Sequence, residues 1–93
     1  TYLSKAVLDP LRMKDSAFEA TPGVKKNLAH AVMWTLHGRE FPAPTFQLGT
    51  SPAGSMYSTV GDLSKFMSCL FADGKAKDGQ LLKKETVGEM FKL

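Results

Sequence analysis

Acyl-transfer chemistry needs a nucleophilic hydroxyl or thiol with a base in reach, so the hydroxyls, histidines and carboxylates of the chain come first. Gly49-Thr50-Ser51-Pro52-Ala53 approaches a Gly-x-Ser-x-Gly nucleophile elbow. The final glycine is missing, however, and Pro52 blocks the strand-to-helix turn that lifts such a serine clear. Ser51 is therefore read as a loop residue. His30 and His37 stand seven apart with no cysteine or carboxylate cluster at ligand spacing, which argues against a zinc site. Trp34 beside them reads as core. Asp62 with Glu85 or Glu89 could form an acid pair, but carboxylates at helix starts usually serve as caps and dipole partners. Tyr57-Ser58-Thr59 reads as packing and capping, and the single Cys69 as a small buried hydrophobe with no internal disulfide. The expectation is a chain with no catalytic set, no metal and no cofactor.

The element best placed to organise these residues runs from Pro52 to Met67, a glycine turn leading into an amphipathic helix. Thr59 can cap the amide of Asp62 while the Asp62 carboxylate reaches back, an Asp version of the capping box. Val60, Leu63, Phe66, Met67, Leu70 and Phe71 recur at three- and four-residue steps. This spacing predicts a helix from Thr59 to Ala72 at the centre of the fold, with Leu63, Phe66, Met67 and Leu70 inward. Gly74 suits the left-handed position that follows a helix. Upstream, Tyr2, Leu3, Ala6 and Val7 share a helical face until Asp9-Pro10 stops it, with Leu11 and Met13 tucked beneath. Glu19 to Gly23 reads as a loop by its Pro-Gly dipeptide, and Lys25-Lys26-Asn27 as its solvated continuation. Pro42-Ala43-Pro44 should forbid ladder pairing. Lys75 to Gly79 reads as a polar turn, and Glu85 to Leu93 as a last helix with Val87, Met90 and Phe91 at core spacing.

At 93 residues, 43% hydrophobic and 23% charged, the chain has an ordinary globular composition. No apolar run reaches the length of a membrane span, and Thr1-Tyr2-Leu3 opens without a secretory leader, so the compartment stays open. The net charge is +3 and the pI about 9.1. The lysines are nevertheless scattered among acids, without the like-charge block that marks a nucleic-acid-binding tail.

Four pieces of the chain carry a resemblance in order and spacing: Leu8-Asp9-Pro10-Leu11-Arg12-Met13, Pro52-Ala53-Gly54 with Ser58-Thr59 and Asp62-Leu63, Gly79-Gln80-Leu81-Leu82, and Glu85-Thr86-Val87-Gly88-Glu89-Met90. Together they resemble the serine β-lactamase and penicillin-binding-protein superfamily, in its class C β-lactamase-related branch of esterases and D-aminopeptidase-like hydrolases. The resemblance implies a partial domain over residues 1–93, mainly α with a small β-hairpin, a fragment from the helical region of the α/β transpeptidase-like fold. It lies between the tyrosine motif and the Lys-Thr-Gly-type strand. Two small strands are implied between Leu28 and Phe41, where alternation and the His37-Gly38-Arg39-Glu40 turn agree. Arg12 stands where the family has glycine, and Lys83 or Lys84 where it has a capping Ser or Thr.

Such enzymes use Ser-x-x-Lys, Tyr-x-Asn or Tyr-x-Ser, and Lys-Thr-Gly. No Ser or Thr here has Lys three residues on, and no Lys-Thr-Gly occurs. Tyr2-Leu3-Ser4 fits Tyr-x-Ser only as a string. The resemblance places Ala53, Gly54 and Ser55 at the edge of the pocket for a small-molecule acyl substrate, although the plainer and favoured reading is that Gly54 simply permits the backbone turn. The reading is a piece of a serine hydrolase. The alternative is a non-catalytic interaction or structural module of the same fold. Cut from its setting, the piece should leave Tyr2, Leu3, Val7, Met33, Trp34 and Phe46 uncovered and self-associate.

Overall fold

The structure, a computed structural model, describes residues 1–44 and 54–92. Its first element is a π-helical turn, Ser4–Leu8, rather than the tail of an α-helix. The Asp9 amide donates to the Ser4 carbonyl (2.9 Å) and the Met13 amide to that of Leu8 (2.9 Å), each spanning five residues. Pro10 has no N–H to continue a four-residue ladder, so the chain widens through the turn and delivers Leu8, Leu11 and Met13 to the interior. Arg12 closes the turn with φ 54, so the left-handed residue is kept without glycine.

Residues read as loop form a short helix, α1, Pro22–Lys26. Thr21 caps it by accepting from the Val24 amide (3.3 Å), and proline at the first helical position is pre-set for that conformation. The expected hairpin follows as β1, Val32–Trp34, and β2, Glu40–Pro42. They pair antiparallel with Met33 opposite Phe41 and Val32 opposite Pro42. Pro42 thus ends a strand instead of forbidding it, and the Ala43 amide extends the pairing to the Ala31 carbonyl (2.9 Å). A proline is tolerated there because no ladder bond is required of its nitrogen at the strand end. All six strand residues are exposed.

The central helix, α2, spans Val60–Phe71, with Thr59 as its cap. Its inward face differs from the expected one. Asp62 and Cys69 are buried and Phe66 packs partly against the core, whereas Leu63 is 45% and Met67 53% exposed. Leu70 is half-buried. After Ala72 the chain turns left-handed twice, at Asp73 (φ 55) and Gly74 (φ 81), and the Gly74 amide bonds back to Cys69 (2.8 Å). A second small hairpin, β3, Lys75–Ala76, with β4, Gly79–Gln80, stands where a polar turn was expected. The Gly74 carbonyl accepts from the amides of Leu81 (2.9 Å) and Leu82 (3.2 Å). A Cβ on Gly74 would lie 2.2 Å from the Leu82 carbonyl oxygen, so only glycine allows this approach.

The last helix, α3, Lys84–Met90, has no side-chain cap at Lys83, as its sequence implied, and buries Val87. Met90 and Phe91, expected at core positions, are exposed. The core consists of Leu8, Leu11, Met13 and Cys69, flanked by Val7, Phe18, Phe66, Ala76 and Leu81. Among the described residues the chain is mainly helical with two small hairpins. No helix among them is long and apolar enough to cross a membrane.

Candidate functional site

Of the three expected pocket-edge residues, Ala53 lies outside the described residues, as does Ser51. Gly54 and Ser55 are half-buried, and Ser55 adopts φ 62, a left-handed backbone at a non-glycine residue. Two residues on, Tyr57 forms an isolated antiparallel bridge with Ala17. The Ala17 amide donates to Tyr57 (3.0 Å) and the Tyr57 amide to Ala17 (2.8 Å). The turn is therefore pinned to the segment that leaves the core at Met13.

That segment is held in turn by one carboxylate. Asp62 is 1% exposed. Its Oδ2 accepts from the Asp15 amide (2.8 Å) and the Ser16 hydroxyl (2.8 Å), and its Oδ1 from Lys65 Nζ (2.6 Å). Because the single Ser16 proton goes to Asp62, the Ser58 hydroxyl donates to Ser16 (2.8 Å). Lys65 Nζ also reaches the Arg12 carbonyl (2.8 Å). The Asp62 amide meets Thr59 Oγ1 (3.2 Å), so the Thr59 half of the capping box forms. The carboxylate does not reach back to Thr59, because its oxygens are taken by the Asp15 amide and Ser16 hydroxyl from a distant segment and by Lys65 one turn along the helix.

Burial alone would raise the pKa of Asp62. The hydrogen bonds from Lys65, Ser16 and Asp15, with the lysine charge, outweigh it and hold the carboxyl below its ordinary 3.8. Asp62 is thus an ionised hub with its acceptors occupied, and the Lys65 ammonium is committed to two acceptors. Neither is set up as a general base toward Ser16 or Ser58. The network positions rather than reacts, running from α2 through residues 15–17 to the bridge that carries Gly54 and Ser55.

The pairings weighed and set aside from the sequence are not brought together either. Glu89 bonds Lys92 (2.5 Å) and not Asp62. Ser4 Oγ sits on Thr1 Oγ1 (2.7 Å), while Tyr2 is 82% exposed. His30 and His37 are both exposed, and among the described residues no group of His, Cys, Asp and Glu gathers to hold a metal. Burial raises the Cys69 thiol pKa, leaving it an inert core group. Two open grooves, of about 310 and 460 Å³, flank the Pro10–Arg12 turn and β3–β4, and neither is lined by Gly54 or Ser55.

The sequence signals that do hold are the four spaced motifs. They fall on the Leu8–Met13 turn, the start of α2 for Ser58-Thr59 and Asp62-Leu63, with Pro52 and Ala53 outside the described residues, the β4–Leu82 stretch and α3. A family model described as Beta-lactamase matches residues 1–92. The chain belongs to the beta-lactamase family. It is also 40% identical over 74 residues to the human protein beta-lactamase-like 1, a match covering 78% of this chain and 14% of that protein. The chain thus spans about a seventh of the length of this relative. Membership places it within the serine β-lactamase and penicillin-binding-protein-like superfamily. Arg12, at the glycine position of its first family motif, is a departure that the backbone accommodates without changing conformation class.

Proposed function

We propose that this chain is the cleft-wall part of a serine hydrolase of the class C β-lactamase-related branch, acting on an ester, amide or β-lactam of the esterase or D-aminopeptidase type. The observation that carries the reading is the family match over residues 1–92. On this reading the segment lies between the tyrosine motif and the Lys-Thr-Gly-type strand of the longer protein. A serine supplied by that protein attacks the acyl carbonyl and the leaving group departs with a proton. Water then releases the acid from the acyl-serine. Ala53, Gly54 and Ser55 edge the acyl pocket, and the Asp62 network fixes the last two through Ser16, Ser58 and the Ala17–Tyr57 bridge.

The test compares the 93-residue chain with the longer protein on a chromogenic cephalosporin and a short-chain nitrophenyl ester. The longer protein should turn over at least one of them, and the chain alone should read background because it has no nucleophile–base pair. Turnover by the chain alone that Ser51→Ala abolishes would overturn the reading. A longer protein without Ser-x-x-Lys and without turnover would make the segment a non-catalytic module of the same fold.

A further inference from the structure

Arg12 combines two features that are unusual together. Its backbone is left-handed, with φ 54, a region unfavourable for any residue carrying a Cβ. Its side chain forms a fork on a residue 66 positions away, Nε donating to Asp78 Oδ2 (2.9 Å) and Nη2 to Asp78 Oδ1 (2.8 Å). Asp78 sits in the turn between β3 and β4. The Arg12 carbonyl, whose direction the left-handed backbone sets, accepts from Lys65 Nζ (2.8 Å). Lys65 in turn holds Asp62. Both side chains of the ion pair are about half exposed, and an exposed pair of that kind is ordinarily worth little by itself. A bidentate guanidinium–carboxylate fork is the exception, because it fixes a direction as well as a distance.

We propose that the Arg12–Asp78 fork is a latch that holds residue 12 in its left-handed conformation and so aims its carbonyl at Lys65, making Arg12 and Asp78 positioning residues for the Asp62 network. With the fork in place, the solvent-facing β3–β4 turn and the buried carboxylate are parts of one assembly. Without it, a residue with a Cβ at position 12 relaxes toward ordinary backbone, its carbonyl turns away, and Lys65 keeps only Asp62.

The latch gives an order of variants that a plain stabilising contact does not. Arg12→Ala loses the fork and keeps the Cβ penalty. Arg12→Gly loses the fork and the penalty together, so the carbonyl stays aimed. Asp78→Ala leaves arginine without its anchor. Hydrogen exchange, read by mass spectrometry at low protein concentration on a peptide that begins at Met13 or earlier and runs to Phe18, reports the Asp15 amide that donates to Asp62. Arg12→Ala and Asp78→Ala should each speed this exchange about fivefold, or about 1 kcal/mol at tenfold per 1.4 kcal/mol. Arg12→Gly should stay within about twofold of the parent, although glycine elsewhere loosens a chain more than alanine does. Exchange in α3 serves as the control for global unfolding. The latch is refuted by equal rates for Arg12→Ala and Arg12→Gly, by no change in Asp78→Ala, or by equal acceleration in α3.

Discussion

The region around Asp62 and the β1–β2 hairpin are built from similar fractions of apolar residues, yet they solve opposite problems. Along α2, the flanking turns are held by directed contacts: at its start a carboxylate with three donors and a capping threonine, and past its end a glycine pressed against a carbonyl. In the hairpin the backbone pairing is sound, but Val32, Met33, Trp34 and Phe41 all face solvent. An isolated two-stranded hairpin is marginal in water. The whole chain exposes 7653 Å², against about 5,300 Å² for a folded monomer of this mass. The difference teaches that directed polar contacts can make a small region specific without a large core, while apolar residues alone cannot when nothing covers them.

The comparison can be broken first at its tightest point. Gly74→Ala should cost about 3–5 kcal/mol, from a strained left-handed backbone and an overpacked contact. A loss under about 1 kcal/mol in denaturant unfolding would show that the Leu82 carbonyl yields easily. Next, Asp62→Ala should cost about 2–3 kcal/mol, because three donors lose a charged acceptor. Asp62 has a depressed folded pKa, so its contribution is complete above the ordinary 3.8 and is lost as pH falls through the lower folded value. The stability gap between parent and Asp62→Ala should therefore hold steady above the ordinary 3.8 and narrow as the pH falls below it. A gap that stays constant below 3.8 would remove the ionised hub.

The smallest effects belong to the exposed apolar side chains. Leu63→Ala should cost less than about 1 kcal/mol instead of the 2–5 kcal/mol of a packed leucine, since Leu63 is 45% exposed. Trp34→Ala should change stability by no more than about 0.5 kcal/mol. Its effect should instead show in sedimentation at several concentrations, where the parent self-associates and Trp34→Ala shifts the distribution toward monomer. A parent that sediments as a single monomer throughout would show that the open hairpin is not adhesive.

Much of this contrast was legible in the sequence wherever its cause was local. Thr59 and the spacing after it marked α2, and the His37–Glu40 turn marked the hairpin. The Thr21-Pro22 start of α1 was equally local, but the Pro-Gly dipeptide masked it. The inward side of α2 was not legible. A pattern of Leu63, Phe66, Met67 and Leu70 identifies an apolar stripe without saying what covers it. The buried face is set by Asp62 and Cys69, which meet the Leu8–Ser16 segment. Two of the three donors to the Asp62 carboxylate lie 46 and 47 positions away, and the Arg12–Asp78 fork spans 66, distances over which spacing rules carry no information. The network that holds Gly54 and Ser55 through Ser16, Ser58 and the Ala17–Tyr57 bridge was not legible for the same reason.

The Ala17–Tyr57 bridge also has a consequence for how the chain tolerates change in length. It closes a loop of about forty residues that contains α1 and the hairpin. The entropy of closing such a loop grows only with the logarithm of its length, so eight Gly/Ser residues inserted beside Gly38 add only about 0.2 kcal/mol. The same insertion between Asp73 and Gly74 would part the bond from the Gly74 amide to Cys69. Insertions and deletions among natural variants should accordingly collect inside the closed loop, leaving residues 59–82 nearly constant in length.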